Sequence, residues 1–120
     1  MNHKDLEVWK TSMDLVVTIY SITKQFPKEE QYGLVSQMQR AAVSVPSNIA
    51  EGCGRKSHKE THHFLSIALG SLAEIETQLL IAIRLEYIRN VNELFDKITI
   101  IRQLTIGLIK HIEKTINQNT

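Results

Sequence analysis

Between positions 37 and 55 the chain sets out groups able to exchange protons or grip an anion: Gln37, Arg40, Ser44, Ser47, Asn48, Glu51 and Arg55. At about 100° per residue these fall within roughly 100° of one another on a helix. Arg40 and Glu51 stand about three turns apart with short hydroxyl and amide side chains between them. Such a row is either a solvated face or a hydrogen-bonded network packed against another helix or subunit, where Ser and Asn fit and Lys does not. As a catalytic array it lacks a His or Cys within the row and a second carboxylate at helical spacing from Glu51. A hydrolase or metalloenzyme is the weakest of the function classes, and no catalytic residue is assigned.

His58, His62 and His63 follow, with Glu60 among them. His58 and His62 are one turn apart and could share a metal, with Cys53 in the preceding turn. Zinc, however, wants a third protein ligand, and no HExxH pattern is present. Surface histidines, with no metal and no cofactor, are the expectation. The run Arg55-Lys56-Ser57-His58-Lys59 opens a helix, where free amides and the helix dipole favour an anion.

Residues 33–63 carry Arg40, Arg55, Lys56 and Lys59 against Glu51 and Glu60, the most positive stretch of a chain whose net charge is only +1. Arg40, Arg55, Lys56 and Lys59 are the candidate phosphate contacts, with His58 and His62 adding charge below about pH 6.5. Near-neutrality excludes a tight, indiscriminate polyanion binder. A phosphate-binding role therefore calls for several copies whose weak sites add through avidity. Phe64 is the nearest aromatic and is expected in the core, so no stacking platform accompanies the patch. There is no Gly-rich phosphate loop or nucleophile elbow, and Gly52-x-Gly54 has neither a preceding strand nor a third glycine.

The elements that position these groups read as helices. The 120 residues allow one domain. Gly and Pro are scarce, at five and two, and no segment alternates with period two. Breaks at 26–30, 52–54 and 86–92 divide the chain into helices at roughly 5–25, 31–54, 58–86 and 92–117. The third starts on a capping box, Ser57 to Glu60, and carries a seam of Leu65, Ala68, Leu72, Ile75, Leu79 and Ala82. The fourth repeats the pattern in Leu94, Ile98, Ile101, Thr105, Leu108 and Ile112, broadened by Phe95, Ile109 and Ile116, with Asn92 as its expected N-cap. In the second, Leu34, Met38, Ala41, Ala42, Val45, Ile49 and Cys53 share a face, and Pro46 predicts a kink at which Ser44 or Ser47 satisfies freed backbone groups. Gly70 and Gly107, inside helices, suggest close helix approach. Long helices with short loops favour an all-α, antiparallel up-down four-helix bundle.

The first helix is apolar on two faces. Leu6, Trp9, Met13, Val16, Val17 and Tyr20 occupy one, while Val8, Leu15, Ile19, Ile22 and Phe26 occupy another about 130° away. One stripe suffices for a bundle, so the second predicts self-association, and Val8, Leu15, Ile19, Ile22 and Phe26 are assigned to the oligomer interface. The lone Cys53 suits a reducing compartment, the N-terminus does not read as a secretory signal, and the longest apolar run, 79–83, falls short of a membrane span. A soluble cytoplasmic protein without membrane contact is expected.

Leu6-Glu7-Val8-Trp9, the stretch from Tyr32 to Ala42, the run Val43-Ser44-Val45-Pro46-Ser47-Asn48-Ile49-Ala50-Glu51-Gly52, and the segment from Phe64 to Glu74 resemble the four-helix bundle proteins encoded in intervening sequences of bacterial 23S rRNA genes. The resemblance spans nearly the whole chain. It implies an antiparallel bundle assembled as a ring-like homopentamer, and kinship with the nucleic-acid-binding accessory protein of diversity-generating retroelements. Gln39 stands where the family commonly has a second arginine. The expected function is a non-enzymatic homo-oligomeric accessory that binds RNA or DNA. The alternative is a scaffold presenting the row from Gln37 to Arg55 to a protein partner.

Overall fold

The computed structural model describes residues 1–89 and 91–118, with side chains as far as Thr115. A short 3-10 turn, His3–Asp5, leads into α1 (Glu7–Thr23); a second, Lys28–Glu30, leads into α2 (Leu34–Cys53); α3 (His58–Arg84) and α4 (Asn92–Gln118) complete the chain. Among the described residues all regular structure is helical. The domain measures 52 × 24 × 21 Å. Its long axis matches the length of about 40 Å expected of a 27-residue helix, with turns added at the ends.

Packing follows the apolar spacing. Each helix packs against the next, and α1 closes onto α4. The α3 seam is wholly buried: Leu65, Ala68, Leu72, Ile75, Leu79 and Ala82 are all at 0% exposure. The α2 face sinks Met38, Ala41, Ala42, Val45, Ile49 and Cys53, and α4 contributes Leu94, Ile98, Ile101, Thr105, Ile109 and Ile112. Ile116 lies outside the residues whose side chains are described. By length and composition α3 is apolar enough to cross a bilayer, with a window of mean hydropathy 1.4, although its longest unbroken apolar run is short. Here its seam serves the core.

Local chemistry sets the helix ends. Ser57 Oγ accepts the Glu60 amide at 3.1 Å and donates to the Glu60 carboxylate at 3.3 Å, which caps α3. At the other end Glu86 adopts φ 62°, the Glu86 amide bonds to Ile83 O, and the Tyr87 amide reaches Ala82 O at 2.9 Å. This paired return is a Schellman ending with glutamate where glycine is favoured, and it stops α3 at Arg84 instead of 86. At α4 the Val91 carbonyl accepts from Leu94 and Phe95, so Val91 holds the capping position. Asn92, expected there, is the first helical residue instead. Glu30 Oε1 accepts the Leu34 amide at the start of α2, while its Oε2 accepts the Tyr87 hydroxyl at 2.9 Å.

Three expectations need correction. Val8, Leu15, Ile19 and Phe26 are buried inside the single chain, and Ile22 packs against the core. That face of α1 is therefore the inward one and offers no surface to a second copy. The outward apolar residues belong to the other face: Met13 at 42%, Val17 at 69% and Tyr20 at 42% exposed. Close helix approach occurs at Gly52, where a Cβ would lie 3.1 Å from Phe64 Cβ and 3.3 Å from Thr61 O, whereas at Gly70 and Gly107 it would meet nothing. Finally, α2 continues past Pro46, and the side chain that bonds the backbone beside the proline is Asn48 in place of Ser44 or Ser47: its Nδ2 donates to Ser44 O at 2.8 Å.

Candidate functional site

The polar row of α2 divides in two. Ser44 and Asn48 are half-buried and bridged to α3: Asn48 Nδ2 and Ser71 Oγ each donate to Ser44 Oγ at 2.8 Å. Gln37, Arg40, Ser47, Glu51 and Arg55 are exposed. Both expectations for the row hold in part, network at its middle and solvated face at its ends. Gln39, the position without the second arginine, is half-buried and donates through Nε2 to Thr23 Oγ1 of α1 at 3.2 Å.

The six candidate phosphate contacts do not form one group. Arg55, Lys56, His58 and Lys59 share the α2–α3 turn, and all are exposed. Arg40 lies fifteen residues up α2, about 22 Å of helix rise from Arg55. Arg55 is already engaged: it pairs with Glu51 one turn back, and its guanidinium carbon sits 4.8 Å from the centre of the Phe64 ring. Phe64, expected in the core, is half-buried beneath it. His62 Nε2 lies 3.0 Å from Glu113 Oε1 of α4. Among the described residues Arg40, Lys56, His58 and Lys59 remain without a partner.

Topology adds what the linear spacing hides. The N-terminal ammonium is near enough to Cys53 to favour its thiolate, and the His3 turn packs on α2, so the start of the chain lies at the α2–α3 turn. The His62–Glu113 contact brings the last turns of α4 to the same end. All five histidines of the chain, His3, His58, His62, His63 and His111, thus gather at one end of the bundle with Lys4, Lys56, Lys59, Lys110 and Lys114. Among the described residues no three His, Cys, Asp or Glu side chains come together as a metal site. Cys53 is buried, and that burial, partly offset by the N-terminal charge, pushes its thiol above the ordinary value of 9.0.

A second polar region was missed by the linear reading. Between α2 and α3 a crevice of about 310 Å³ is lined by Gln37, Arg40, Ser44, Ser71, Glu74 and Gln78. Gln78 is 8% exposed, and its Oε1 is buried without a hydrogen-bond partner. The only sequence signal was polar spacing on α3, Ser71, Glu74 and Gln78, running beside the apolar seam.

The family model described as 23S rRNA-intervening sequence protein matches residues 4–107. Among solved structures, the chain is similar to the crystal structure of a protein with unknown function from the S23 ribosomal protein family of Bacteroides thetaiotaomicron. The TM-score is 0.80 at 28% identity, over 92% of this chain and 99% of that one. No curated protein matches the sequence.

Proposed function

The chain belongs to the 23S rRNA-intervening sequence protein family, and from that premise we propose a non-enzymatic accessory that binds RNA or DNA as a homopentameric ring in the cytoplasm. It uses no cofactor and touches no membrane. Its helices take the antiparallel up-down order, which the bridges between them support: residue 61 meets 52 and 71 meets 44 along α2 and α3, while 62 meets 113 and 76 meets 102 along α3 and α4. Met13, Val17 and Tyr20 of α1 are the apolar surface from which copies associate.

One observation carries the nucleic-acid reading, namely the gathering of all five histidines with unpartnered Lys56 and Lys59 at a single end. One such end with few fixed charges binds phosphate weakly; a ring repeats it in every copy. A mobility shift with structured RNA at rising salt tests this. The complex is expected to weaken along a log-log line whose slope counts the phosphates neutralised, and K56Q/K59Q together are expected to flatten it by about two. Absence of a shift at low salt would sink the reading and leave the protein-scaffold alternative.

A further inference from the structure

Tyr32, in the turn that leads into α2, is 93% exposed, and its side chain has no hydrogen bond or ring contact among the described residues. Local hydrogen bonds order that turn. The Gly33 amide donates to Glu30 O at 3.0 Å, and the Glu30 carboxylate accepts the Leu34 amide through one oxygen and the Tyr87 hydroxyl through the other. Gly33 leaves room for the carboxylate, since a Cβ there would stand 2.9 Å from Glu30 Oε1. The ring is thus held out in water by a tied-down turn. Beside it lies a crevice of about 390 Å³ with Phe26, Pro27 and Val35 as its apolar part and Lys24, Lys28 and Tyr32 also lining it. Neither lysine has an ion pair or hydrogen bond among the described residues. Of the two acids in the turn, Glu30 is engaged as above, and neither it nor Glu29 lines the crevice.

A free aromatic face and two free cations on one partly apolar crevice are the parts with which proteins hold single strands: a ring on which a base stacks, and charge beside it for the phosphate. We propose that this crevice holds one unpaired nucleotide of a single-stranded nucleic acid, its base stacked on the Tyr32 ring and its phosphate between the Lys24 and Lys28 ammonium groups. Every base has a face to stack, so the site accepts any of them. A duplex keeps its bases within its own stack and offers Tyr32 none. The volume lies at the small end of ligand sites and suits one nucleotide. The histidine end is the length of α2 away, about 30 Å. This assignment rests on the nucleic-acid reading and adds to it a second contact that prefers unpaired strands.

The test compares the full-length protein binding a labelled single-stranded oligonucleotide with its binding of an abasic strand of the same length, which keeps the phosphates and lacks the bases. Tyr32→Ala alters an exposed side chain and is expected to fold as the parent does. It should weaken the base-bearing strand about tenfold and leave the abasic strand unchanged. Tyr32→Trp should retain binding, and the emission it adds to that of Trp9 should be quenched by the base-bearing strand alone. K24Q/K28Q is expected to lower the salt slope of both strands by about 1.4, the share of two phosphates on a single strand. Equal binding of the base-bearing strand by the parent and Tyr32→Ala would overturn the site, while weakening of that strand by K56Q/K59Q would keep the nucleic-acid reading intact. Binding of neither strand by the parent would overturn both. A Tyr32→Ala loss that is equal for the two strands, or a fall in its assembly mass, would also overturn the site, the latter marking Tyr32 as a contact between protein chains.

Discussion

Thr61 Oγ1 donates to the Gly52 carbonyl at 2.7 Å, and the backbone of Thr61 lies so close to Gly52 that a methyl group there would stand 3.3 Å from Thr61 O. The two residues clamp the last turn of α2 to the first turn of α3, and the turn between them carries Arg55, Lys56, His58 and Lys59. Two rigid helices leave little room to yield, so Gly52→Ala is expected to cost about 1–3 kcal/mol through overpacking. Thr61→Val keeps the shape but removes the donor. Because the Arg55 amide still serves Gly52 O, the loss is expected near 1 kcal/mol. Urea denaturation midpoints check both, and an unchanged midpoint for Gly52→Ala would show the turn to be looser than described.

Elsewhere the backbone residues stand in the opposite arrangement. Gly70 occupies an exposed mid-helix site with open space where a Cβ would be, while Glu86 takes a φ of 62° that glycine adopts freely. Gly70→Ala and Glu86→Gly are each expected to stabilise the fold by about 1 kcal/mol. Thermal melting measures the gain. Should Gly70→Ala instead lower the mass seen by light scattering, the missing side chain would belong to a contact between copies.

Which α1 face turns inward shows where sequence reading reaches its limit. On α2 and α3 the 3.6-residue period and a polar opposite face left one choice, and Met38, Ile49, Leu65 and Leu79 are all fully buried as expected. On α1 both faces are apolar, and the buried one includes Ser12 and Thr23, whose hydroxyls bond their own helix at 2.6 and 3.1 Å. Satisfied in that way, they cost little to bury, yet in sequence they make the core face look the more polar. The histidine end was hidden for a different reason. His3, His58 and His111 are far apart in the chain, and only the order of the helices makes them neighbours.

The exchange of faces on α1 changes what substitution does. Val17 is 69% exposed and Ile19 is fully buried, two residues apart on one helix. Val17→Asp is expected to leave the helical circular dichroism intact while releasing the proposed ring to monomers of 13.7 kDa by light scattering. Ile19→Asp buries an unpaired carboxylate and is expected to unfold the chain. Full assembly mass retained by Val17→Asp would remove that face from the ring contact.

Alkaline pH is expected to loosen the fold. The hydrogen bond to Glu30 is the main cause raising the Tyr87 hydroxyl above its ordinary 10.0, and burial raises the Cys53 thiol above 9.0. Both groups are neutral when protonated. Each contribution is thus whole below the ordinary value and is lost as pH climbs through the higher folded one. The urea midpoint should hold steady from pH 7 to 8.5 and then fall, with Tyr87→Phe and Cys53→Ala each making the decline shallower. Equal declines in parent and variants would place the sensitivity elsewhere.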